Sequence, residues 1–277
     1  MFSVLLSIYH KEKPEFLEAS LQSVFNQTLL PSEVLVVKDG KLGAELDAVL
    51  ERYEAKYPDI IKINNLPENL GLGVSLAYGL ERCSNELVAR VDTDDINLPF
   101  RFEEQYNMLM SHPELDLVGF NIAEFEYDSN IVHSYRNLPE TPEENHKFGK
   151  RRCPVNHPTV MYRRSKVLQV GNYQRLKINK GMEDYYLWMR MLNENMQFYN
   201  IQKVGVLCRI GNDMISRRHG FLYYRLELDC FAKGMKMGYI SLGDFGVAAI
   251  SRGVVHTVPK SMTKWFYNRF LRQKQYG

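Results

Sequence analysis

Three carboxylates fall within four residues at Asp92-Thr93-Asp94-Asp95. Such a group repels itself and costs stability unless a cation or hydrogen-bond donors compensate it. It follows Leu87 to Val91, an apolar run of strand type. At a strand end it reads as a ligand set for a hard divalent ion, Mg²⁺ or Mn²⁺. Such an ion neutralises a departing pyrophosphate. A turn with a helix cap uses the same residues, because Asp favours both.

Asp39 ends a second run, Glu33 to Lys38, with Val34, Leu35, Val36 and Val37 at its centre. A carboxylate there can accept a hydrogen bond from a nucleotide base, or it can form an ordinary Asp-Gly turn. Asn69-Leu70-Gly71-Leu72-Gly73 opens a helical stretch. Its glycines allow close backbone approach, and a helix N-terminus favours anions. The spacing is not GxGxxG, so a nicotinamide-dinucleotide fingerprint fits poorly, and Gly71 reads equally as a simple turn. Glu183-Asp184 opens a helix containing Trp188. Carboxylates in a first turn complement the helix dipole. A general base aimed at an acceptor hydroxyl occupies the same position. His157, between Asn156 and Pro158, is an acceptor-side candidate, although a lone His is more often structural. Arg209 and the later Ser216, Arg217 and Arg218 can clamp phosphate or form a solvated turn.

These groups need elements to hold them at one place. Phe2 to Ile8 is a short apolar strand, and Pro14 to Asn26 has helical spacing with Pro in its first turn. Helices follow at Ala44 to Tyr57 and Leu72 to Cys83, alternating with strands at Glu33 to Lys38, Ile60 to Ile63 and Leu87 to Val91. This alternation predicts an α/β sheet with helices on both faces. Ligands of such sheets sit beyond the carboxyl ends of the strands. The ends at Tyr9 to Glu12, Asp39-Gly40 and Asp92 to Asp95 should therefore converge on one crevice. Later on, Pro99 to Met110 reads as a helix, Leu117 to Phe125 and Thr159 to Tyr162 as strands, and Glu183 to Leu192 as a helix. Lys147 to Asn156, basic and irregular, reads as a mobile loop.

The bulk numbers limit the function classes. The 277 residues suffice for a large buried core, and 45% hydrophobic content with 25% charged is that of a soluble globular protein. A net charge of +2 argues against a general nucleic-acid binder. The charge is uneven, however. Ser251 to Gly277 holds six basic residues and no acidic one, leaving −4 on the rest. From Pro259 to Lys274, Met262, Trp265, Phe266 and Phe270 form a stripe among those cations. This pattern suits an interfacial helix on an anionic membrane, and equally a terminal helix packed on the body. Cys83, Cys153, Cys208 and Cys230 form no CxxC pair and read as reduced cytosolic thiols. The N-terminal apolar run ends by His10 and Lys11, so it reads as a strand and not as a signal peptide. No stretch is long enough to span a bilayer.

Taken together, the segments resemble family 2 glycosyltransferases of the GT-A fold, of the type in bacterial O-antigen, capsule and exopolysaccharide assembly. The matching stretches are SVLLSIYHKE at Ser3, EVLVVKDG at Glu33, ENLGLGVSLAYGL at Glu68, LVARVDTDDINLPFRFEEQ at Leu87, CPVNHPTVMYRRS at Cys153 and GMEDYYLWMRM at Gly181. They occur in the family's order over roughly residues 3 to 220. Each is weak alone; six in register are specific.

The resemblance implies a Rossmann-like nucleotide-diphospho-sugar transferase sheet over 1–225 and a helical, basic extension over 226–277. It implies that Asp39 contacts the donor base, usually uracil, and that Ser7, Tyr9, Gly71 and Asp92 line the donor pocket. Asp92 and Asp94 match the DxD metal motif, with Asp95 as a third candidate ligand. Asp184 matches the catalytic base, with Glu183, His157 and Arg209 as acceptor or phosphate contacts. The expected activity is inverting transfer of one hexose from a UDP-sugar to a lipid-linked saccharide, at the inner face of the cytoplasmic membrane. The first strand departs from the family, ending Ser-Ile-Tyr-His where many relatives have Pro-x-Tyr-Asn. The QxxRW motif of processive synthases is absent, which favours a single addition. A sugar-nucleotide nucleotidyltransferase needs a Gly-rich basic loop after the first strand, and Tyr9 to Pro14 is not one. A non-catalytic nucleotide-sugar scaffold is the other alternative.

Overall fold

The computed structural model describes residues 1–174, 181–211 and 220–257. Strands β1 (Ser3–Ile8), β2 (Glu33–Lys38), β3 (Ile61–Asn65) and β4 (Leu87–Arg90) form a parallel half-sheet ordered β3-β2-β1-β4. Helices α1 (Pro14–Phe25), α2 (Ala44–Lys56) and α3 (Leu72–Arg82) connect them. Alternation along β1 assigns its side chains to two cores. Val4, Leu6 and Ile8 join the cluster that includes Leu17 and Leu21 of α1, while Leu5 joins Leu76 and Leu80 of α3. Each fully buried aliphatic side chain contributes roughly 1.5–3 kcal/mol.

The sheet continues past β4 into a mixed half. It comprises β5 (Ile96–Asn97), β6 (Leu115–Phe125), β7 (Val132–Arg136), β8 (Met161–Arg163) and β9 (Gln197–Arg209). The path runs β4-β8-β6-β9-β5, and β7 pairs with the far end of β6. Helices α4 (Arg101–Ser111), α5 (Pro142–Gly149), α6 (Arg164–Gln169) and α7 (Glu183–Asn193) belong to this half. Helices α8 (Phe221–Lys236) and α9 (Leu242–Thr257) close the chain's described part. Leu226, Cys230 and Phe231 of α8 lie in the same core as Trp188 and Leu187 of α7. A division after residue 225 falls inside α8. The α/β architecture with helices on both faces is as the alternation implied.

The basic stretch read as a mobile loop is corrected in its first part, because α5 extends to Gly149. Its start carries a capping box. Thr141 Oγ1 accepts the Glu144 N–H at 3.4 Å, and the Glu144 carboxylate accepts the Thr141 N–H at 3.1 Å. Pro142 stands at the first helical position. Strand β9 did not emerge from the sequence because its alternation breaks. Phe120↔Ile201 is followed by Asn121↔Val204, so Gln202 and Lys203 bulge out of register.

Among the described residues no helix is long and apolar enough to cross a membrane. The aromatic and basic stretch 259–274 lies outside the described residues.

Candidate active site

The acidic loop leaves β4 and returns to the sheet through β5, which pairs with β9. Several contacts fix it. Ser20 Oγ donates to the Asp92 carbonyl at 2.7 Å, and Thr93 Oγ1 donates to Glu12 Oε2 at 2.6 Å. The Arg209 backbone N–H donates to Asp95 Oδ1, and Arg209 Nε donates to the Asp94 carbonyl at 3.2 Å. Below the loop, Arg101 is fully buried and donates to the Arg90 carbonyl at 2.7 Å.

Asp92, Asp94 and Asp95 bring one carboxylate oxygen each within 4.8 Å of one another. Burial first, then the Asp92 and Glu12 charges, raise Asp94 to about 7. Burial, Asp94 and Asp92 push Asp95 well above the carboxylate range. Buried Arg90 pairs with Asp92 and opposes this charge. An all-oxygen set with this excess of negative charge fits a hard divalent cation. Asp95 is the least open of the three, being 5% exposed with Oδ1 already bonded.

The expected donor residues gather at the ends of β1 and β2. Asp39 is buried, and its two carboxylate oxygens accept the N–H groups of Leu70 at 2.8 Å and Gly71 at 3.0 Å. Asp39 therefore clamps the loop into α3, with a second lone pair on each oxygen still available. Gly71 has φ +94°, and a Cβ there would meet open space. Ser7 Oγ donates to Ser75 Oγ of α3 at 2.7 Å. Tyr9 lies just beyond β1, with its ring edge-on to His10.

Helix α7 begins against the start of α3. Met182 precedes it in the left-handed conformation, φ 72°, and Glu183 and Asp184 form its first turn. A Cβ on Gly73 of α3 would lie 2.7 Å from Glu183 Cγ, so the N-termini of α3 and α7 touch. Burial above all raises the Tyr173 phenol, and the charges of Asp184 and Asp92 add to it.

His157 Nε2 lies 3.0 Å from the Tyr173 hydroxyl, and its ring sits edge-on to Trp188. Burial, then Arg90, hold it well below the usual histidine value. Arg209 is tied to the loop, its guanidinium 3.9 Å from the Phe16 ring centre and 4.5 Å from that of Phe125. Ser216, Arg217 and Arg218 lie outside the described residues.

Sequence reasoning missed Arg90, Arg101 and Tyr173, while Glu12 belongs to the first strand end expected to converge on the acidic loop. A charge at the end of the apolar run Leu-Val-Ala-Arg was the available signal for Arg90.

A parallel half-sheet extended by mixed strands, with an acidic loop beyond its central strand, is the GT-A glycosyltransferase architecture. The chain belongs to glycosyl transferase family 2, whose profile matches residues 3–171. It is 38% identical to the amylovoran biosynthesis glycosyltransferase AmsE of Erwinia amylovora, over 95% of this chain and 94% of that one. It is 34% identical to the UDP-Gal:alpha-D-GlcNAc-diphosphoundecaprenol beta-1,3-galactosyltransferase of Escherichia coli, over 98% and 97% of the two chains. Among solved structures, S. aureus TarS 1-349 in complex with UDP superimposes with a TM-score of 0.64. That match has 18% identity and covers 96% of this chain and 78% of that one.

Proposed function

We propose that this glycosyltransferase moves one hexose, with inversion, from a UDP-sugar such as UDP-Glc or UDP-Gal to a lipid-linked saccharide. The observation that carries the reading is the three-carboxylate loop beyond β4. Asp94 and Asp92 would hold Mn²⁺ or Mg²⁺, with Asp95 shaping the loop from behind. When bound, that ion neutralises the diphosphate as it leaves. Ser7, Tyr9, Asp39 and Gly71 line the nucleoside side, where Asp39 keeps lone pairs for a base N–H. Asp184 accepts the proton of the acceptor hydroxyl. The acceptor oxygen bonds to the anomeric carbon from the face opposite the diphosphate as the bond to the diphosphate oxygen breaks. Glu183 and His157 flank the acceptor.

Support for a UDP-sugar and a lipid-diphosphate acceptor comes from the name of the Escherichia coli relative and from UDP in TarS. The basic, aromatic end of the sequence supports work at the inner face of the cytoplasmic membrane. In this reading 1–225 carries the donor chemistry and 226–277 serves the membrane side.

The test is thermal unfolding with UDP, GDP, dTDP, CDP and ADP, each with and without Mn²⁺. UDP should raise Tm only when Mn²⁺ is present. Stabilisation by none of the five, with or without metal, overturns the donor site.

A further inference from the structure

Helix α9 reverses the usual surface pattern. Its charged and titratable side chains, Asp244, Arg252 and His256, are the inward ones. Asp244 pairs with Arg151 at 2.8 Å, and Glu227 of α8 pairs with Arg252 at 3.3 Å and His256 at 2.8 Å. No exposed position of the helix carries a charge. Instead, Val247, Ile250 and Val254 repeat at i, i+3 and i+7 on the outward side, with Ile250 72% exposed. Phe221 and Leu222 at the start of α8 are similarly exposed. Tyr224 donates to the Ala249 carbonyl at 3.0 Å, so that start packs beside the same helix. A contiguous outward apolar surface of this kind marks an interaction site.

A basic segment adjoins the helix through Asp244 and Arg252. Lys147, Lys150, Arg151 and Arg152 line a groove of about 750 Å³ whose wall includes Asp244 of α9. Glu144 is the groove's other acid, and Asp244 is already paired with Arg151. Arg252 also donates to the Arg151 carbonyl at 3.1 Å, fastening the basic turn to the helix. In sequence, the chain then continues with Lys260, Lys264, Arg269, Arg272 and Lys274 and no acid.

We infer that the outward face of α9, with the basic segment beside it, docks this protein onto an anionic lipid bilayer. Apolar side chains enter the interface and the cations meet lipid phosphates. A second copy of the chain fits less well, because a two-fold contact sets the basic segment against itself. The inference deepens the membrane-face reading above by naming its surface. It is tested without donor or acceptor, so its failure leaves the transferase reading standing.

The full chain is centrifuged with vesicles of phosphatidylcholine alone and of phosphatidylcholine with phosphatidylglycerol. Wild type should pellet with the anionic vesicles, and less so as salt is raised. The variant V247S/I250S/V254S changes exposed positions only, so its Tm should be unchanged and its vesicle affinity at least about tenfold lower. K147E/K150E should lose binding to anionic vesicles without touching α9. Equal binding by wild type and both variants overturns the inference. So does absent binding of wild type to the anionic vesicles, whether or not sedimentation equilibrium finds a dimer that V247S/I250S/V254S dissociates.

Discussion

The backbone N–H of Arg209 donates to Oδ1 of Asp95 at 2.8 Å, joining the end of β9 to the acidic loop beyond β4. The guanidinium adds a bond to the Asp94 carbonyl and one to the Glu126 carbonyl at 3.1 Å. Both bonds hold the acidic loop in place, and we propose that Arg209 positions it. Arg209→Ala keeps the N–H bond and removes the side chain's hold. Mn²⁺ affinity without nucleotide should fall roughly three- to tenfold, the net worth of about one ordinary hydrogen bond. Titration of Mn²⁺ with and without UDP separates the roles. If metal affinity is intact and only UDP affinity is lost, Arg209 is a phosphate contact instead.

The same loop should show a trade between stability and function. Asp94 is held at about 7 by burial and by the charges of Asp92 and Glu12. Asp94→Asn removes one of the repelling charges. In metal-free buffer above neutral pH, the variant should melt a few degrees higher than wild type, about 1 kcal/mol in a chain of this size. With Mn²⁺ and UDP the order should reverse, because the variant cannot gain metal-linked stabilisation. A variant that melts lower in both buffers would mean that Asp94 serves the fold.

The proposed base, Asp184, belongs to a different stage. Asp184→Asn keeps the shape of the first turn of α7 and removes the proton acceptor. The Mn²⁺-dependent UDP shift should be unchanged, while transfer to a lipid-linked acceptor falls about 10²–10⁴-fold. Retained turnover removes Asp184 from the role of base. Loss of both binding and turnover points to a disturbed Glu183–Gly73 contact, which circular dichroism and Tm would register.

The parallel half of the fold was legible because its strands are continuous apolar runs and its helices keep one periodic face. Val34 to Val37 and Leu17-Leu21-Val24 carry that signal without help from tertiary context. The carboxylates were legible as well, since Asp92, Asp94 and Asp95 are adjacent in sequence. Their supports were not. Arg209 reaches the loop across 114 residues, and no local pattern records such a contact. Asp39 shows a further limit. Its type and place at a strand end indicated a polar role, but the pairing with the Leu70 and Gly71 N–H groups depends on where α3 begins. Strand β9 was hidden by the bulge at Gln202 and Lys203. The short helix α5 was read past because its basic neighbours outweighed the Thr141–Glu144 cap.

Glu33 offers a test far from the chemistry, at the opposite end of β2. Its side chain is 3% exposed. Its carboxylate accepts from Ser3 Oγ at 2.5 Å, from Lys62 Nζ at 2.7 Å, and from the N–H and Oγ of Ser84, both at 2.7 Å. Burial by itself raises the pKa. The Lys62, Ser3 and Ser84 donors outweigh it and bring Glu33 from 4.5 to about 2. The folded value lies below the unfolded one, so the charged form stabilises the fold above about 4.5, and that contribution disappears as pH falls toward 2. Lys62 is half exposed, and solvent screening reduces the gain to roughly 1–2 kcal/mol. Glu33→Gln should lower the urea midpoint at pH 7 by a corresponding amount. The gap between wild type and variant should narrow steadily from pH 4.5 downward. A gap that stays constant across that range would show that Glu33 stabilises the fold by shape alone, with its charge contributing nothing.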